Sequence, residues 1–153
     1  MTEHVLRFTR VFEAPRQLVF SCMVEPEHLT HFWGPIGVSA PLDQITVDAR
    51  PGGAFTTVMV NDADGSTYPT SARYIEVSAP ERLSWVEDRS GMTVTLTFTE
   101  LDGDRTKVDI EQTNVPAPMM APAARAGFLT SLDRFAAHLA RLTAAERSCR
   151  PRT

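Results

Sequence analysis

The stretch Ala121–Leu142, APAARAGFLTSLDRFAAHLARL, decides how the rest of the chain is read. Phe128, Leu132, Phe135, Leu139 and Leu142 recur at alternating steps of four and three. At about 3.6 residues per turn, such steps fall on one stripe of a helix. Ala124, Ala126, Ala136, Ala137 and Ala140 favour helix because they have little side-chain entropy to lose. Arg125, Asp133, Arg134 and Arg141 lie mostly off the stripe, where water can solvate them. At about 1.5 Å per residue the helix spans roughly 30 Å, enough to cross a small domain.

Most of the chain before that helix is patterned for strand. Val5–Phe12 alternates in part, and Ala14-Pro15 turns the chain into a short apolar helix around Leu18–Met23, ending near Pro26. Glu27–Trp33 makes a second short helix, stopped by Gly34-Pro35. From Leu42 the period is two, with Ile45, Val47 and Ala49 predicting a strand up to the turn Arg50-Pro51-Gly52-Gly53. Phe55–Val60, the segment with Ala72, Tyr74, Ile75 and Val77, Leu83–Glu87, Met92–Phe98 and the strand with Val108 and Ile110 follow, joined by Asp-Gly, Pro and Ser-Gly turns. Pro116, Pro118 and Pro122 mark an extended crossing into the long helix.

The order β-α-α-β-β-β-β-β-β-α predicts an α+β fold, a mostly antiparallel meander with its helices on one face. A single helix cannot fill the concave face of a wide curved sheet, so the space beneath it is the natural pocket. One domain is expected over residues 1–145, with a basic tail at 146–153 carrying Arg147, Arg150 and Arg152.

Composition removes several classes of function. Fifteen basic against 19 acidic side chains give a formal charge of −4, without the basic excess of a phosphate-backbone binder, so no nucleic acid is expected. Neither a membrane span nor a secretory signal is indicated, and a cytoplasmic protein is expected. Cys22 and Cys149 are expected as free thiols. No nucleophile elbow and no phosphate-binding glycine loop occur, and no cofactor is expected. His28 and His31 have helical spacing for two metal ligands but no third at telling spacing, so no metal is expected.

Several strings coincide with one known family. They are Phe12, Ala14-Pro15 and Val19-Phe20, PEHLTHFWGP from Pro26 to Pro35, DARPGGAF from Asp48 to Phe55, and YIEVSAPERLSW from Tyr74 to Trp85. VTLTFTE from Val94 to Glu100 and the Gly127-Phe128 start of the long helix complete the set. The chain resembles activator-of-Hsp90-ATPase-homologue-like (AHSA1-like) members of the START/Bet v 1-like (SRPBCC) helix-grip superfamily. It departs from many relatives in having Phe128 where they have Trp. The resemblance implies a helix-grip fold, in which a curved sheet surrounds the C-terminal helix. It leaves function open among ligand carriers, cyclases, receptors and co-chaperone modules. Nothing in the sequence itself supports Hsp90 or another chaperone as a partner.

The candidate ligand-binding residues follow from phase and from the resemblance. His31, beside Phe32 and Trp33, lies where relatives form the rim of the cavity; it is either a hydrogen-bond donor and general acid or a partly exposed histidine. Glu87, in phase with Leu83 and Trp85, and Gln112, in phase with Val108 and Ile110, are candidates to point inward, although Glu87 beside Asp88 could equally end its strand in water. Trp33, Phe55, Met59, Tyr74, Trp85, Met119, Met120 and Phe128 form an aromatic and methionine set suited to an apolar cavity, and Leu132 extends it along the helix. The expected function is binding of a small hydrophobic or aromatic molecule. The alternatives are a cyclase- or hydrolase-type enzyme using Glu87 and His31 as acid and base, and a co-chaperone-like or homodimeric interaction module.

Overall fold

A computed structural model describes the backbone of residues 4–149 and the side chains of residues 4–145. Strand β1 (Leu6–Phe12) leads into helices α1 (Arg16–Val24) and α2 (Pro26–Phe32). Short strands β2 (Val38–Ser39) and β3 (Thr46–Val47) follow, then the long strands β4 (Ala54–Asn61), β5 (Thr67–Ser78), β6 (Arg82–Glu87), β7 (Thr93–Leu101) and β8 (Arg105–Thr113). Helix α3 (Pro122–Cys149) ends the described chain. The eight strands form one antiparallel sheet in the order β1-β8-β7-β6-β5-β4-β2, with β3 also on β4. This is the predicted α+β helix-grip architecture.

Some local expectations are corrected. The strand expected from Leu42 to Ala49 is instead a 3-10 turn at Leu42–Gln44 and a two-residue bridge at Thr46–Val47. Pro41, with φ −59°, starts that turn and has no N–H to give a ladder. Gly53 is needed where the chain doubles back, because a Cβ there would lie 1.9 Å from the Asp48 carbonyl oxygen. The crossing before α3 is not extended throughout, since Ala117–Met120 forms a 3-10 turn. Helix α3 runs past Leu142 to Cys149, into the stretch expected to be a tail; residues 150–153 lie outside the described chain.

A bulge at Ile75, between the pairs Tyr74–Trp85 and Glu76–Ser84, breaks the register of β5 on β6. Such an extra residue bends a strand and increases its twist, which helps the sheet wrap α3. The wrapping is tight at one end only. Phe135 lies between the rings of Phe12 (4.8 Å) and Phe32 (4.3 Å), and Leu139 is buried. From Pro122 to Ser131 no residue of α3 is buried.

Arg134 corrects the expectation that it lies in water. Its half-buried guanidinium donates to the carbonyls of Gly34 (2.8 Å), Val38 (2.9 Å) and Pro35 (3.1 Å), with a longer contact to that of His31 (3.4 Å). Thr130 Oγ1 also accepts from the Ile36 N–H at 3.1 Å. The loop after α2 is thereby tied to α3, which fixes the position of Trp33.

Candidate functional site

Between the concave face of the sheet and the first half of α3 lies a cavity of about 420 Å³. That size suits a ligand of a few fused or linked rings. Strand register builds its floor. Trp85 pairs with Val94, and Val94 with Gln112, so these side chains stand in one row across β6, β7 and β8. Glu87 is two residues beyond Trp85 and shares its face. Phe128, Leu132 and Phe135 of α3 form the roof, and Phe32 and Trp33 close one side. Four of the six methionines, Met23, Met59, Met92 and Met119, also line it. Methionines can adapt to an irregular occupant.

A smaller annex of about 100 Å³ adjoins it, lined by Phe55, Thr70 and Ala72. Trp33, Met59, Trp85 and Glu87 line both spaces. The shared wall is aromatic: Phe55 meets Trp33 edge-on at 5.1 Å and Trp85 at 5.3 Å, and stacks on Tyr74 at 5.6 Å.

The polar groups here are few. Gln112 is 5% exposed, and its amide has no hydrogen-bond partner among the described residues. The amide opens onto the cavity, so a group arriving there can pair with it. Half-buried Glu87 accepts from Ser90 Oγ at 3.3 Å. Burial raises its pKa above the ordinary 4.5, and the Ser90 bond opposes this. Glu87 is the one titratable side chain of the cavity lining among the described residues.

The structure thus brings Phe32, Trp33, Met59, Trp85, Glu87, Gln112, Met119, Phe128 and Leu132 to the main cavity, and Phe55 to the annex. Tyr74, Met120 and His31 are elsewhere. Tyr74 is in inward phase, but Phe55 stacks over it, and its buried hydroxyl has no partner among the described residues. Met120 packs against the core. His31 is exposed and stacks on His138 at 4.7 Å, because the turn of α2 sends it away from the face that buries Phe32. An acid–base pair of Glu87 and His31 is therefore not assembled in the cavity.

A second group of side chains joins His28, weighed with His31 in the sequence as half of a ligand pair, to two residues the sequence did not bring to it. His28 Nδ1 lies 3.0 Å from Nε2 of buried His138, and Cys22 is buried beside them. Burial, then the neighbouring His31, His28 and Arg141, hold the His138 ring well below the ordinary 6.5, at about 4. Burial, then Glu25, push the Cys22 thiol up to about 12. His138 could have been suspected, since it falls three residues after Phe135 and beside Leu139.

A curved antiparallel sheet gripping a C-terminal helix over an apolar cavity defines a START/Bet v 1-like domain. The sequence pattern described as Activator of Hsp90 ATPase homolog 1-like protein matches residues 13–140, and the chain belongs to that family. Among solved structures, it is similar to a protein from Chromobacterium violaceum, with 26% identity, 89% of this chain and 97% of that one covered, and a TM-score of 0.79. A protein from Nitrosomonas europaea gives 25% identity, 92% and 96% coverage, and a TM-score of 0.78. The AHSA1 protein from Silicibacter pomeroyi gives 26%, 90% and 98%, and 0.73. No curated protein matches the chain significantly. No helix among the described residues is long and apolar enough to cross a membrane.

Proposed function

We propose that this protein binds a small, largely apolar molecule carrying at least one hydrogen-bonding group, held in the cavity beneath the first half of α3. The observation that carries this reading is Gln112, whose amide lies in the floor of a largely apolar chamber and makes no side-chain hydrogen bond among the described residues. Aromatic and methionine walls supply non-directional contact, and the amide supplies orientation. Glu87, at the junction of cavity and annex, accepts a donor on the same ligand or carries a proton itself as burial raises its pKa.

The pair 1-naphthol and 1-methylnaphthalene separates these contributions, since the two differ chiefly in a hydroxyl against a methyl group. Wild type binds both. Gln112→Leu weakens 1-naphthol by about fivefold to tenfold, the worth of roughly one hydrogen bond, and leaves 1-methylnaphthalene unchanged or tighter. Equal effects on both compounds, or no binding of either, would contradict the proposal. Calorimetric titration provides the measurement.

A further inference from the structure

Three of the chain's four histidines and one of its two cysteines gather where α1, α2 and α3 meet, outside the cavity lining. One donor atom from each of Cys22, His28 and His138 lies within 4.8 Å of the other two. The Cys22 thiol is fully buried and has no hydrogen-bond partner among the described residues. The His28 and His138 nitrogens face each other at 3.0 Å. Bonds of about 2.0 Å in a tetrahedral site set two nitrogens about 3.3 Å apart, so an ion between them needs an opening of only a few tenths of an ångström.

We infer that Cys22, His28 and His138 form a binding site for a thiolate- and imidazole-preferring transition-metal ion of the Zn²⁺ class. One thiolate and two imidazoles suit zinc better than magnesium or calcium, which take oxygen ligands. The ion replaces the hydrogen bond between His28 and His138. The proton on His138 Nε2 passes to Nδ1, the exposed Arg141 side chain turns away from that nitrogen, and the Cys22 thiol releases its proton to solvent. Three protein donors leave the fourth position to water, on the side of half-buried His28. His31 stacks over His138 and shields the ring without joining the set. The ion would join α1 to the pair α2 and α3, which already share the Arg134–His31 contact.

Chelator-treated protein carrying Cys149→Ser, to remove the other thiol, is titrated with Co²⁺ as a spectroscopic stand-in and then with Zn²⁺. Far-ultraviolet circular dichroism first establishes that each metal-free variant is folded. The expected result is one equivalent of Co²⁺, with a thiolate-to-cobalt charge-transfer band and intense visible bands of a tetrahedral site, displaced by Zn²⁺. Cys22→Ser abolishes the charge-transfer band. His28→Gln, at a half-buried position that tolerates an amide, keeps the metal-free fold and weakens Zn²⁺ by more than about tenfold. Zn²⁺ raises the melting temperature of the parent and not of Cys22→Ser. Folded parent protein showing no charge-transfer band, or binding unchanged in Cys22→Ser or His28→Gln, would overturn the site.

Discussion

The two halves of α3 do different work on one periodic pattern. From Leu132 to Leu139 the stripe is buried: Leu132, Phe135, His138 and Leu139 are covered, and Phe135, although it also borders the cavity with Leu132, is held between two phenylalanine rings. Before Leu132 the stripe is open. Phe128 is half-buried and tilted against Phe8 at 4.6 Å, yet it also borders the cavity. A helix that follows one hydrophobic rule along its length is thus core at one end and roof at the other. The curvature of the sheet and the Arg134 clamp decide which.

Substitutions in the two halves should therefore separate stability from binding. Phe135→Ala removes the most packing and is expected to destabilise by about 3–5 kcal/mol in urea unfolding. Arg134→Ala strands the carbonyls of the loop after α2; a loss of about 1–3 kcal/mol is expected, with weaker ligand binding because Trp33 is no longer fixed. Phe128→Ala, at the open end, is expected to lower stability by only about 1 kcal/mol while changing ligand affinity more than Phe135→Ala does at matched folded fraction. An equal stability loss at positions 128 and 135 would erase the distinction.

The smallest effect belongs to Glu87. Its pKa is raised in the folded state by burial, so from pH 4.5 up to the folded value the native protein holds more proton than the unfolded chain. Stability therefore falls as pH rises through that window, and the loss persists above it. Glu87→Gln keeps an acceptor for Ser90 and removes the titration. It is expected to be modestly more stable than wild type at neutral pH and equal to it below the window, as read from unfolding curves at several pH values.

The fold was legible because period-two strands, turn residues and the stripe of α3 are local signals. The family strings fixed their arrangement. Gln112 and Glu87 were legible by phase alone, since a strand sends alternate residues to one face. Other residues depended on what lies opposite them. Arg134 is charged and off the stripe, so periodicity places it in water, but its partner carbonyls come from a loop about a hundred residues away in sequence. Tyr74 has the right phase but sits under Phe55. His31 is two residues before Trp33 in sequence, yet Trp33 lies beyond the end of α2 and departs from its helical spacing. Cys22, His28 and His138 come together only when three helices pack.

Both tryptophans of the chain, Trp33 and Trp85, line the cavity, so intrinsic fluorescence reports directly on its contents. The most direct test titrates N-phenyl-1-naphthylamine, an apolar probe with one N–H donor, into wild type and into Ala124→Phe, which adds a ring at a lining position of α3. Wild type should show saturable one-to-one quenching of tryptophan emission with a rise in probe emission, and folded Ala124→Phe should show neither. Binding undiminished by Ala124→Phe, or none by wild type, would contradict a ligand-holding cavity under the first half of α3.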